Sequence, residues 1–279
     1  SSRIDSKTFI NEVSEDIAIL KGRVDGLEVK QNEFEAGGFS DTTVLDQKVV
    51  FDIGFMDFSE PDSGDEKTMF AYSYRMNLNS SFTGDDNMYI RILSGNHTNW
   101  MKDSNDGGYL TSVGKGNDLQ VDKIWYSFPV GENNTVWVGP KIENYYMHGT
   151  APSIYKPVTK QFTLGGNGNA YGASTDTGAG WAYKADNGFA LSSNIGTKSK
   201  TTTSGTDTGL LTDGSKTSFA TQVGYTQPNY SVSAIVNLKY NGWADGYLHT
   251  AAADGAVKDK AGNLISGGNH TAYGLRGWW

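Results

Sequence analysis

The amino-acid sequence predicts an all-β protein, an antiparallel transmembrane β-barrel with about ten visible strands, preceded by an N-terminal α-helical coiled coil. First, stretches in which apolar and polar residues alternate follow one another from residue 43 onward. Second, the connections between them alternate in length. Short turns at 131–134, 187–188 and 227–229 lie between long Gly/Asn/Thr-rich stretches near 147–177, 197–215 and 242–267. A membrane-spanning barrel has tight turns on one rim and long loops on the other.

The composition agrees with this fold class. The 279 residues include 35 Gly, 15 Tyr, 12 Phe and 7 Trp, which favours β structure over helix bundles. No run of about 18 apolar residues occurs, so a transmembrane helix is not predicted. The chain has no cysteine, which excludes disulfides and thiolate metal sites. A net charge of -8 without a Lys/Arg cluster argues against nucleic acid as a partner.

Residues 1–36 are predicted to form a separate coiled-coil helix, because side chains of one seam recur at spacings of three and four. The predicted oligomerisation seam consists of Ile10, Val13, Ile17, Leu20, Val24, Leu27, Gln31 and Phe34. Gly37 and Gly38 supply the helix end. The alternative is a single amphipathic helix packed on the domain that follows. The strict alternation over several heptads favours self-association.

Residues 37–279 are predicted to form the barrel. Its strands are expected at 43–58, 67–81, 87–93, 117–130, 135–146, 178–186, 189–196, 216–226, 230–241 and 268–279. Along residues 231–240, Val232 and Val236 face one way, and Ser233 and Asn237 face the other. An apolar outside with a polar inside is typical of membrane barrels and the reverse of a soluble barrel.

The loop lengths predict the side on which the helix lies. Counted from the helix, odd-numbered connections are long and even-numbered ones short, so the helix is expected on the short-turn, periplasmic side. Phe58, Tyr145, Tyr146 and Trp243 fall near predicted strand ends, where interfacial aromatic girdles are expected.

Three segments carry a resemblance to a known family: residues 17–28 (IAILKGRVDGLE), the linker 34–39 with the strand opening at Thr42, and the ending 273–279 (YGLRGWW). With them, nearly the whole chain resembles the cyanobacterial outer-membrane porins of the OprB-like, carbohydrate-selective type. The resemblance implies a coiled coil directly before the barrel and a homotrimer. In that family an S-layer-homology domain precedes the coiled coil and attaches the barrel to peptidoglycan. That domain is absent from this sequence.

The family barrel has more strands than the ten predicted here. An open sheet edge in lipid leaves backbone groups unpaired at several kcal/mol each. Either the barrel closes at about ten strands, or the sequence is a C-terminally incomplete piece of a longer one, which we favour.

No enzyme, cofactor or metal site is predicted. His97, His148, His249 and His270 are dispersed in or beside predicted long loops and lack metal-ligand spacing, so they are expected to be solvated. The acidic stretches 62–66 and 103–108 match no EF-hand and are expected to be loops. Residues 165–169 are glycine-rich, but no P-loop lysine or helix pattern follows them.

The polar face of the barrel supplies the candidate pore lining. The predicted pore-lining residues are Asp52, Arg75, Arg91, Lys123, Lys141, Glu143, Lys239 and Arg276. Rings of cations bias small pores toward anions. Alternatively, these charges form salt bridges within the lumen. The expected constriction loop is either 97–116 or 147–177.

Residue pattern and resemblance together predict a passive outer-membrane channel. Small hydrophilic solutes, namely sugars and inorganic ions, are expected to diffuse through its polar lumen. Its expected partners are outer-membrane lipid, further copies of the chain and these solutes, with the helix in the periplasm. The alternative is a trimeric fibre or adhesin with a coiled-coil stalk and a soluble β head.

Overall fold

The computed structural model describes residues 6–37, 42–57, 68–101, 110, 113–151, 158, 168–171, 177–197, 215–240 and 269–279. The chain divides into two compact units, Ser1–Val44 and Leu45–Trp279. Each unit is described by itself below.

The first unit contains one long helix, α1, which spans Ser6–Gly37. The seam residues Ile17, Leu20 and Val24 are 60%, 57% and 47% exposed, and Ile10, Val13 and Leu27 are exposed with them. Gln31 and Phe34 lie within α1, but their side chains are outside the described residues. Two internal glycines, Gly22 and Gly26, each weaken helix propensity by about 1 kcal/mol relative to alanine. Among the described residues, no helix has the length and apolarity to cross a membrane.

The second unit is built on one antiparallel sheet of ten strands, which confirms the all-β prediction. The strands are β1 Thr43–Gly54, β2 Met69–Ser80, β3 Asn87–Gly95, β4 Gln120–Val130, β5 Asn134–Lys141, β6 Thr177–Lys184, β7 Phe189–Thr197, β8 Thr217–Gln227, β9 Tyr230–Tyr240 and β10 His270–Trp278. Each strand pairs with its sequence neighbours, and the described sheet stays open between β1 and β10. Short 3-10 helices form at Asn99–Met101 and Asn144–Met147, and a single helical turn, α2, spans Gly168–Tyr171.

Tight turns fix the register on one side of the sheet. Gly131 and Gly188 adopt φ of 68° and 95° in the β4–β5 and β6–β7 turns, a conformation that favours glycine. In the β2–β3 turn, Asp86 accepts hydrogen bonds from the backbone N–H groups of Phe82 and Thr83. The hydroxyl of Tyr126 donates to the same carboxylate, and these bonds hold the pKa of Asp86 well below its usual range.

The sheet has an apolar face and a polar face, and the polar face is the buried one. On β9, Val232 and Val236 are 53% and 40% exposed, whereas Asn237 and Lys239 are fully buried. On β8, Phe219 and Val223 are exposed, whereas Ala220 and Gln222 are buried. A soluble sheet buries its apolar side chains, so this alternation is inverted.

The predicted strand 135–146 is too long, and one consequence of that prediction is wrong. β5 ends at Lys141, and Tyr145 and Tyr146 lie in the following 3-10 helix. Tyr146 packs against Tyr89 and Trp125, so these tyrosines form no girdle at a strand end. Phe58 and Trp243 lie outside the described residues.

Candidate functional site on the polar face of the sheet

The polar face of β6–β10 is covered by the connection between β5 and β6. We call residues 142–171 the crossing segment, of which 142–151, 158 and 168–171 are described. Ile142 and Met147 at its start are fully buried. From residue 147 onward, its described part falls within one of the two predicted constriction loops, 147–177.

Glycines on the polar face make room for the crossing segment. A Cβ atom added at Gly180 would lie 2.6 Å from Met147 Sδ, and one added at Gly178 would lie 2.9 Å from Ile142 Cγ2. At Gly274 an added Cβ would lie 2.6 Å from Tyr171 Cε2 and 2.9 Å from Ala170 Cβ. Glycine in a strand often marks such a close approach. The absence of side chains at Gly178, Gly180 and Gly274 therefore lets the crossing segment pack closely against the sheet.

Strand side chains satisfy the backbone of the crossing segment. Ser192 Oγ on β7 accepts from Gly149 N at 3.0 Å, and Gln222 Oε1 on β8 accepts from Thr150 N at 3.1 Å. Asn237 Nδ2 on β9 donates to the carbonyl of Ala170 at 3.1 Å. A buried backbone group without a partner would cost about 1–3 kcal/mol, so these polar side chains hold the segment in place.

Tyr171 anchors the end of the crossing segment on β9 and β10. Its hydroxyl donates to the carbonyl of Ser233 at 2.8 Å. The guanidinium of Arg276 lies 4.0 Å from the centre of the Tyr171 ring and donates to the carbonyl of Thr150 at 3.2 Å. Arg276 therefore joins the two described ends of the segment by a cation–π contact and a hydrogen bond.

The crossing segment also contacts the opposite edge strand of the sheet. Lys48 Nζ on β1 donates to the carbonyl of Val158 at 2.9 Å. One segment thus contacts both β1 and β10, which lie at opposite ends of the strand order.

A second connection, between β3 and β4, packs on the polar face of β1–β3. His97 Nε2 is 2.7 Å from Asp52 Oδ2 on β1. An added Cβ at Gly54 would lie 2.7 Å from the ring of Trp100. His97 is fully buried and His148 is 5% exposed, so the prediction of solvated loop histidines is wrong for both. Their partners lie far away in the sequence, and no local spacing indicates them.

The predicted cations of β3 and β4 are neutralised by carboxylates on the polar face. Arg91 forms an ion pair with Asp122, its Nε donating at 2.6 Å. Lys123 Nζ lies 3.0 Å from Glu143 Oε1, just beyond the end of β5. The placement of these residues favours the alternative interpretation, in which the charges form salt bridges, over a ring of uncompensated cations.

The alternation of side chains in the sequence did not predict Asp122 as a polar-face residue, because a β-bulge in β4 brings its side chain to that face. Arg91 pairs with Lys123, but the next residue, Ile92, pairs with Val121, so Asp122 is the extra residue on β4. A bulge re-aims a side chain that strict alternation would send to the other face.

Aromatic rings border the ion pairs. Tyr89 stacks on Trp125 with ring centroids 4.7 Å apart, and Tyr146 lies 5.8 Å from Tyr89. Tyr145 stands 4.5 Å from Tyr146, whose hydroxyl accepts from Arg91 NH1 at 2.9 Å. We call these four rings the aromatic cluster; none of them is among the predicted pore-lining residues.

The other predicted pore residues are spread over the polar face. Arg75 is partly exposed on β2, and Lys141 at the end of β5 donates to the carbonyl of Val121 at 3.1 Å. Lys239 and Arg276 are buried on β9 and β10. The strands β6–β10 carry no Asp or Glu, whereas β1 and β4 carry acids on or beside the polar face. The described residues hold no group of three His, Cys, Asp or Glu side chains that could bind a metal ion.

Apolar side chains exposed on one face of a sheet, with a segment of the same chain packed on the polar face, are typical of the wall of a membrane channel. The carbohydrate-selective porins of the OprB family match residues 4–271, so the chain belongs to this family. Its members are channels and not enzymes, which confirms the prediction that no catalysis is involved.

Two cyanobacterial proteins are similar to this chain. An uncharacterized protein of Nostoc sp. is 28% identical over 195 residues, which covers 66% of this chain and 32% of the relative. An uncharacterized protein of Synechocystis sp. is 30% identical over 137 residues, which covers 48% of this chain and 25% of the relative. The chain therefore spans a third or less of the length of these relatives.

Proposed function

We propose that this chain forms the wall of a passive outer-membrane channel, through which small hydrophilic solutes, carbohydrates in particular and also inorganic ions, diffuse. The inverted alternation of the sheet carries the proposal, because exposed apolar side chains suit lipid and polar ones suit a water-filled lumen. A soluble β head on an adhesin would instead bury its apolar face.

A sheet that lies in lipid is expected to close on itself. Unpaired backbone groups on β1 and β10 would each cost several kcal/mol in hydrocarbon, so we infer that the sheet closes into a barrel, directly or through further strands. The contacts of the crossing segment with Lys48 on β1 and Arg276 on β10 support a sheet that curls around it.

The crossing segment narrows this lumen, and the charges and rings beside it select solutes. Aromatic side chains offer flat apolar surfaces to the C–H faces of sugar rings, and paired charges can hydrogen-bond hydroxyl groups. Tyr145 and Tyr146, the partly exposed rings of the aromatic cluster, lie on the same stretch of the wall as the pairs Arg91–Asp122 and Lys123–Glu143. The remaining predicted pore residues, Asp52, Arg75, Lys141, Lys239 and Arg276, complete the polar lining.

The channel function is tested by reconstituting the full-length protein in liposomes and planar bilayers. We expect liposomes to swell in solutions of mono- and disaccharides, with rates that fall as solute size increases, and to show ohmic ion conductance. Empty liposomes and heat-denatured protein are the controls. An intact, membrane-inserted protein that passes neither sugars nor ions would contradict the proposal.

We further propose that α1 lies in the periplasm and joins three copies of the chain. The resemblance to the OprB-like porins implies that the protein would be attached to peptidoglycan only through a domain upstream of the helix. The exposed seam supports oligomerisation, since burying each apolar side chain contributes roughly 1.5–3 kcal/mol.

Replacing Ile17 and Val24 with Asp is expected to dissociate the oligomer, because two charges in each helix would lie in an apolar seam. Sedimentation of the protein in detergent measures the mass. Asp at Ala18 and Ile19, which lie off the seam, gives the same change in charge and serves as the control. A mass unchanged by the seam substitutions would show that α1 does not hold the copies together.

A further inference from the structure

We propose that the contact of the crossing segment with the sheet is acid-sensitive, with His148 as the group whose protonation releases the segment and widens the channel. This inference rests on the proposed function for its effect on the pore, but not for the release itself. It is carried by the burial of His148, its hydrogen bonds and the charges around it.

His148 is held as a neutral imidazole by two hydrogen bonds. Nε2 lies 2.9 Å from the carbonyl of Tyr171 and donates to it, since a carbonyl can only accept. Nδ1 then has a lone pair to accept from Asn194 Nδ2 at 3.3 Å. The imidazole thus connects the two described ends of the crossing segment and fastens them to β7.

A proton on Nδ1 would break this arrangement. The ring would point an N–H group at the amide N–H of Asn194, and its charge would be buried. Turning the Asn194 amide would offer Oδ1 as an acceptor, but a neutral oxygen does not offset a buried charge.

The strands beneath His148, β6–β10, carry cations and no carboxylate. Arg276 on β10 and Lys239 on β9 are the charged groups on the buried polar faces of the strands under the segment, and Tyr171 is the titratable group of α2. The strands β6–β10 carry no acid at all. A protonated His148 therefore has no counter-charge among the described residues of the strands beneath it.

The direction of the pH effect follows from these contacts. Burial, with a further contribution from the charge of Arg276, lowers the pKa of His148 to about 4 from its ordinary 6.5. A released segment would return the pKa of His148 to its ordinary value, so protons favour release as the pH falls from 6.5 toward 4. Between pH 7 and pH 5 this linkage shifts the release equilibrium by about twentyfold.

The test uses a single cysteine as a reporter of release in the full chain, which has no other cysteine. Thr150 belongs to the segment and is only 4% exposed where it faces the sheet, and Thr150→Cys keeps its backbone hydrogen bonds to Gln222 and Arg276. Ser127→Cys, buried on the polar face of β4, is the matched control for the effect of pH on thiol chemistry. A small water-soluble thiol reagent is applied to the protein in lipid vesicles.

We expect labelling of Cys introduced at Thr150, relative to the control, to rise about twentyfold between pH 7 and pH 5. His148→Gln keeps an N–H donor for Tyr171 but cannot titrate, and should abolish this rise. Asn194→Asp places a carboxylate beside Nδ1 and should keep the segment seated at pH 5. A relative labelling rate that changes less than about twofold with pH in the parent would overturn the proposal.

The two substitutions also decide the remaining outcomes. If His148→Gln labels rapidly at both pH values, the substitution itself has released the segment, and Asn194→Asp then decides. An acid-induced rise that persists in Asn194→Asp would overturn the role of His148. Conductance measured in parallel separates the two proposals, because acid-dependent labelling in a protein that does not conduct would remove the channel and leave the release mechanism standing.

Discussion

Replacing Gly274 with valine is expected to lift the crossing segment from the sheet and to increase the single-channel conductance. The added Cβ would lie 2.6 Å from the ring of Tyr171 and 2.9 Å from Ala170 Cβ, and the ring is also held by the guanidinium of Arg276, 4.0 Å from its centre. Overpacking a tight contact costs about 1–3 kcal/mol. The hydrogen bond of the Tyr171 hydroxyl to Ser233 would be lost with the ring position.

The matched control is Gly277→Val on the same strand, whose Cβ would project from the exposed side and lie 3.1 Å from the carbonyl oxygen of Ser231. Planar-bilayer recording of both variants gives the conductance per channel. If the Gly274→Val channel conducts like the parent while its fold is intact, the crossing segment does not set the width of the pore.

Replacing Glu143 with alanine should destabilise the protein by about 3–5 kcal/mol. Lys123 is 3% exposed, and its ammonium lies 3.0 Å from Glu143 Oε1 but 3.8 Å from Asp122. Without Glu143 a buried charge would keep only the longer contact, whose partner is already engaged by Arg91. The free energy of unfolding in urea, measured on the protein in lipid vesicles, reports the loss.

The double variant Lys123→Met with Glu143→Leu removes both charges and should recover most of this stability, since apolar pairs often replace buried ion pairs without loss. The double variant should also form a conducting channel, so that an effect of the two charges on selectivity can be measured apart from their effect on stability. If the single substitution costs no more than an exposed salt bridge, up to about 1 kcal/mol, the pair is solvated and not part of a buried wall.

The sequence predicts the sheet well, because the alternation of side chains along a strand is a local property. On β9 the period of two alone places Val236 outward and Asn237 inward, as the structure has them. The ends of strands are predicted less accurately: β5 ends at Lys141, whereas the predicted strand runs to residue 146.

The site is predicted far less well, because it is made of contacts between distant parts of the chain. His148 and Asn194 are 46 residues apart, and Tyr171 reaches β10 across 103 residues. No local pattern encodes such partners. Asp122 is missed for another reason, since one extra residue on β4 interrupts the alternation on which the prediction of facing depends.

The central claim, that the apolar face of the sheet meets lipid and the polar face meets water, is tested most directly by spin labels along one strand. Single cysteines along β2 would carry a nitroxide, with Phe70 and Met76 on the apolar face and Arg75 and Asn77 on the polar face. In lipid vesicles we expect oxygen to relax the labels at Phe70 and Met76 most, and a water-soluble nickel complex to relax those at Arg75 and Asn77. Relaxation by the two reagents that does not alternate along β2 would contradict a membrane barrel.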